Sequence, residues 1–108
     1  MAVGLTGLPD MVPVPGIRLG TARAGIKKPD RRDLVVIEIA AGARSAAVFT
    51  RNAFCAAPVV VARNHLTSIP PCYLLINTGN ANAGTGEFGL RDAQRCCEAM
   101  AQVAGCAT

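Results

Sequence analysis

The sequence holds 108 residues, about one domain's worth of chain. Eleven Lys and Arg stand against seven Asp and Glu for a net charge of +4, and 51% of the residues are hydrophobic. That balance excludes a disordered tail, which is apolar-poor and strongly charged. The longest stretch free of charged or amide side chains runs only from Leu66 to Ile76, so no membrane-spanning helix is expected. Nineteen alanines against twenty-four Val, Leu and Ile, with no Trp and one Tyr, leave little large apolar volume to bury. A thin core that leans on another segment or subunit is the expectation.

Residues 1–15 are rich in Gly and Pro and read as an irregular N-terminal arm. The start has no basic region and is broken by Pro9, Pro13 and Pro15, which argues against a signal peptide and for a cytoplasmic location. From Gly16 the chain alternates, with Ile17, Leu19 and Thr21 between Arg18 and Gly20, as in a strand. Lys27 to Asp33 reads as a solvated turn around Pro29-Asp30. Leu34 to Ile39 is β-branched and is the strongest strand of the sequence. Ala46 to Thr50 reads as a third, weaker strand, and adjacent antiparallel pairing is the economical arrangement of the three.

Pro58 opens Val59-Val60-Val61, whose state the sequence leaves open, and Asn64-His65 reads as loop. Pro70-Pro71 imposes an extended entry into Cys72 to Ile76, an apolar run suited to a strand buried on both faces. Leu90, Ala93, Cys97, Met100, Ala101 and Ala104 mark one face of a helix that Gly105 ends.

The cysteines, Cys55, Cys72, Cys96, Cys97 and Cys106, are odd in number and form no CxxC pair. With a single histidine, His65, they do not make a metal-ligand set, and free thiols are the expectation. The basic cluster Lys27, Lys28, Arg31 and Arg32 is interrupted by Asp30 and has no interleaved aromatic residue, so no nucleic-acid binding is expected. No Ser or Cys lies in a nucleophile-elbow setting, and no complete catalytic constellation is present.

The most chemical-looking segment is Asn77 to Gly89. It contains Gly84-x-Gly86-x-x-Gly89, the dinucleotide-binding pattern, between a strand and a helix. Against that reading, seven residues separate Ile76 from Gly84, and the Glu87 carboxylate would repel a pyrophosphate. The loop has two other readings. Asn77, Asn80 and Asn82 offer neutral amides to a ligand, or they occupy left-handed turn positions and satisfy their own backbone.

Ala24-Gly25-Ile26-Lys27-Lys28 followed by Asp33 to Ile37, then Val48 to Asn52, Ala56 to Val59 and above all Asn77 to Glu87, resemble in order the opening blocks of the ornithine acetyltransferase family. These are the bifunctional glutamate N-acetyltransferases of arginine biosynthesis, and the resemblance covers roughly residues 16–104. It implies an α+β fold, a layered αββα sandwich of mostly antiparallel strands followed by a helix, incomplete in this chain. Residues 16–108 would then be the N-terminal part of the α-subunit domain. It also implies a precursor that cuts itself, freeing an N-terminal threonine on the β subunit. That threonine takes an acetyl group from N-acetylornithine and passes it to glutamate.

On this resemblance the partners are the rest of the α subunit and the β subunit, in an α2β2 assembly. No cofactor, metal, nucleic acid or membrane is implied. The oxyanion-hole Ser-Thr-Gly and the nucleophile would lie beyond Thr108, so no catalytic residue falls in this chain, and Asn80 and Asn82 are site-adjacent candidates. The competing readings are a small nucleotide-binding module using Gly84 to Gly89 and a non-enzymatic scaffold domain with an exposed apolar face.

Overall fold

The computed structural model describes Gly7 and residues 10–108. Most of the expected N-terminal arm therefore lies outside the described residues. Residues 10–14 have no regular structure and lead into a turn at Pro15-Gly16.

Five elements follow: strands β1 (Ile17–Ala22) and β2 (Leu34–Ile39), helix α1 (Ala57–Ser68), strand β3 (Tyr73–Asn77) and helix α2 (Gly86–Ala104). The strands form one antiparallel sheet in the order β1-β2-β3. Register pairs Leu19 with Ile37 across β1 and β2, and Ile37 with Leu74 across β2 and β3. Side chains alternate across a sheet. One face therefore carries Ile17, Leu19, Val35, Ile37, Ile39, Leu74 and Ile76. The other carries Arg18, Leu34, Val36, Glu38, Tyr73, Leu75 and Asn77.

The expected α+β class holds, with differences in detail. Ala46 to Thr50 is not a strand but exposed loop, with Val48 99% exposed, because no partner strand lies beside it among the described residues. Its place in the sheet is taken by β3. Val59-Val60-Val61, Asn64 and His65 all belong to α1. Pro58 sits in the first turn, where its fixed φ suits a helix, and packing against α2 outweighs the weak helix propensity of three valines. The helix stops before Pro70, and Ile69 is extended (φ −145°, ψ 151°) as a residue preceding proline must be. A helix thus lies between the strands as well as after them. α2 starts four residues earlier than its apolar stripe, at Gly86, and Gly105 (φ 67°) ends it in the left-handed conformation.

β3 is half-buried at Tyr73, Leu75 and Asn77 and exposed at Leu74 and Ile76, so it is covered on one face, not two. The covered face looks toward the helices. The Asn77 side chain accepts from Asn82, whose carbonyl takes the Ala57 amide at the start of α1, and Cys106, just past α2, is close enough to influence Tyr73. The opposite, apolar face is open.

Among the described residues the buried apolar core is Ala57 and Ala101 alone. The chain exposes 8873 Å². A folded monomer of its mass exposes about 5,650 Å². Its radius of gyration is 15.3 Å, against about 13 Å for a compact domain of this length. The chain supplies one α layer and one β layer, with the β layer unpaired on its outer side.

Candidate functional site

The loops at one end of the sheet meet around Asp33. In the sequence this residue sits in a mixed-charge run that reads as solvated, yet it is 3% exposed. Its carboxylate accepts hydrogen bonds from the Ala24 and Ile26 amides, both at 2.7 Å. Its own amide donates to the Ala22 carbonyl (3.2 Å), and its carbonyl accepts from the Thr78 amide (2.9 Å). One residue thus joins the β1–β2 turn to the end of β3. The Ala24 amide bond, with help from Ile26, holds the carboxyl below the usual carboxylate range, against the opposing effect of burial.

The Asn77–Gly86 loop lies beside that turn. Gly79 (φ 97°) leaves room for Lys27, whose Cβ would stand 3.1 Å from a side chain added there. Asn82 is fixed in place. Its Nδ2 donates to Asn77 Oδ1 (2.9 Å), and its carbonyl accepts from the Ala57 amide (3.2 Å) and the Thr85 hydroxyl (3.3 Å). It therefore latches the loop to the first turn of α1. Asn80 is exposed, and its side chain makes no hydrogen bond among the described residues. The two candidate amides are thus separated: Asn82 is occupied internally, and Asn80 is available to a ligand. Neither is left-handed. The positive φ angles of the loop fall on Gly79, Gly84 and Gly86, so the turn reading of the asparagines is corrected.

The dinucleotide reading of Gly84 to Gly89 fails on geometry. β3 pairs antiparallel with β2, so the strands before the loop do not form the parallel sheet of that fold. The Phe54 ring fills the space at Gly84, standing 2.7 Å from where a Cβ would be, and occupies the approach a pyrophosphate would need. Gly89 instead permits close helix packing, since an added Cβ would meet Thr85 Cβ at 2.5 Å and Ala57 Cβ at 3.5 Å. Phe54 is joined to the site by packing that sequence spacing does not reveal.

Elsewhere the chemistry is sparse. Among the described residues no three His, Cys, Asp or Glu gather as a metal site, and no helix is long and apolar enough to cross a membrane. The five cysteines are free. Burial pushes the Cys97 thiol up, which makes it a poor nucleophile. His65 is half-buried in the last turn of α1 and not a loop residue. Burial, and next the neighbouring Glu38 carboxylate, raise the Tyr73 phenol, which donates to Glu38 at 3.5 Å. The best-formed depressions, lined by Gly20, Ala22, Leu34 and Val36 and by Gly16, Arg18, Glu38 and Ala40, are shallow and open.

Among the described residues this arrangement offers backbone and amide groups but gathers no general base or nucleophile. The model of the ArgJ family matches residues 18–108. The chain belongs to the ArgJ family. It is 58% identical over 105 residues to the arginine biosynthesis bifunctional protein ArgJ of Pseudomonas syringae pv. tomato, covering 97% of this chain and 26% of that protein. The ArgJ protein of Methylococcus capsulatus is 59% identical over 95 residues, 88% of this chain and 23% of that one. The chain therefore spans about a quarter of the length of the curated relatives it matches.

Two solved ArgJ-type structures share the fold. The ornithine acetyltransferase of Mycobacterium tuberculosis, solved with ornithine, aligns with a TM-score of 0.76 at 35% identity, over 84% of this chain and 48% of that chain. The arginine biosynthesis bifunctional protein ArgJ of Bacillus halodurans aligns with a TM-score of 0.79 at 32% identity, over 86% and 49%.

Proposed function

We propose that the chain is the N-terminal part of an ArgJ acyltransferase that moves an acetyl group from N-acetylornithine to glutamate, and that its own contribution is architectural. The observation that carries this reading is the 58% identity over nearly the whole chain to a protein named as bifunctional in arginine biosynthesis. The absence of a nucleophile and base around the Asn77–Gly86 loop agrees with a chain that frames chemistry performed elsewhere.

In the proposed reaction the hydroxyl of an N-terminal threonine attacks the acetyl carbonyl, and the ornithine amine leaves with a proton. The glutamate amine then attacks the acyl-enzyme ester and regenerates the hydroxyl. A terminal amine is a competent local base for that hydroxyl, and the tetrahedral intermediates require oriented donors. Residues 1–108 are assigned neither role. Asn80 is the residue of this chain best placed to touch a ligand, being exposed on a loop whose base Asn82 holds.

The partners are proposed to be the remainder of the α subunit, which closes the open sheet face, and the β subunit, in an α2β2 assembly. The test is acetyl transfer from N-acetylornithine to glutamate, assayed for the full-length protein and for residues 1–108 alone. Activity only in the former is expected. Activity of the 108-residue chain by itself would overturn the architectural role, and an inactive full-length protein would overturn the acyl-transfer assignment.

A further inference from the structure

Asp33 is a buried carboxylate to which the proposed chemistry assigns no part. Its two oxygens hold the Ala24 and Ile26 amides, its carbonyl holds Thr78, and the turn it braces places Lys27 against Gly79. Two of these contacts, the Thr78 bond and the Lys27–Gly79 approach, reach the Asn77–Asn82 segment. We propose that Asp33 is a positioning residue for acyl transfer, fixing the Asn77–Asn82 loop through Thr78 on one side and through the Lys27–Gly79 contact on the other. This inference rests on the acyl-transfer reading above.

The physical reason lies in the donor set. Two backbone N–H groups converge on one carboxylate, a pattern that only an acceptor-only group satisfies. An asparagine at position 33 turns an NH2 group toward one of those N–H donors and releases half the brace. The turn then shifts, and Lys27 no longer seats on Gly79. A loop that moves by about an ångström at a site edge lowers the rate of the chemical step far more than it weakens binding.

The test is made in the full-length protein, with Asp33→Asn, Gly79→Ala, the double variant and Gly42→Ala. Gly42 (φ 84°) follows β2 at the opposite end of the sheet and has nothing within 4 Å of an added Cβ, so it takes similar backbone strain away from the loop. Asp33→Asn is expected to lower kcat about 10- to 100-fold with KM changed less than about twofold. Gly79→Ala added to Asp33→Asn should bring little further loss, as for two parts of one brace. Gly42→Ala should leave kcat unchanged.

Hydrogen exchange supplies a readout independent of activity. Asp33→Asn should speed exchange at the Thr78 amide, which donates to the Asp33 carbonyl, and Gly42→Ala should not. If Asp33→Asn does not fold, Gly79→Ala alone should speed exchange at Ala24 and Ile26, and unchanged exchange there overturns the proposal. Multiplicative losses in the double variant, an equal loss of kcat in Gly42→Ala, or unaltered loop exchange in Asp33→Asn would also overturn it. An inactive wild-type protein defeats the acyl-transfer reading instead, and the exchange result then decides the brace alone.

Discussion

The mechanical weight of this chain falls on a few small or buried residues. Asp33 has its carboxyl pKa lowered, first by the Ala24 amide. A depressed native pKa stabilises the fold at pH values above the unfolded value, 3.8, and that contribution is lost as pH falls through the lower native value. Denaturant unfolding of the full-length protein should therefore weaken below about pH 4, and the Asp33→Asn variant should lack that component of the pH dependence. A pH profile of equal steepness in the variant would contradict this. Glycines separate in the same way. Gly105→Ala meets no atom within 4 Å and carries only the left-handed penalty, a loss of about 1 kcal/mol. Gly89→Ala carries no left-handed penalty but must displace Thr85, an overpacking loss of about 1–3 kcal/mol. Comparing the two unfolding free energies checks the ranking.

At the scale of elements, the sequence was most legible where local pattern and tertiary environment agree. β1 and β2 follow from period-two alternation and a β-branched run, and the stop of α2 follows from Gly105. α1 was illegible because valines weigh against a helix, and only packing against α2 decides the matter. Ala46 to Thr50 failed for the converse reason, since strand-like composition is not enough without a neighbouring strand. Within the site, Asn80 and Asn82 were marked by their loop, but their different employment depends on Asn77 and Ala57, which are distant in local pattern. Asp33 was hidden by the charges around it. A carboxylate placed directly before a β-branched run was the available signal.

The two sheet faces also differ in what they tolerate. Arg18 pairs with Glu38 but is 81% exposed at its side chain, so Arg18→Ala should cost less than about 1 kcal/mol. Leu74 lies in register with Ile37 on the open face. If that face is closed in the full-length protein, Leu74→Asp buries an unpaired charge, at a cost of about 3–5 kcal/mol. Unfolding free energies of the two variants test the assignment, and equal, small effects would refute it.

At the scale of the molecule, one observation organises the rest. Among the described residues, seven apolar positions line a sheet face with nothing on it, while the buried apolar core is two alanines. The exposed area of 8873 Å² exceeds that of a closed monomer of this mass by about 3,200 Å². The apolar sheet face lies within that excess and marks a contact surface, since isolated soluble domains rarely leave contiguous apolar patches above a few hundred Å². The relatives, of which this chain matches about a quarter, have further chain with which to cover it. Scanning calorimetry of residues 1–108 in isolation tests this most directly. The chain alone should show no cooperative unfolding transition. A sharp, two-state melt of the isolated chain would contradict it.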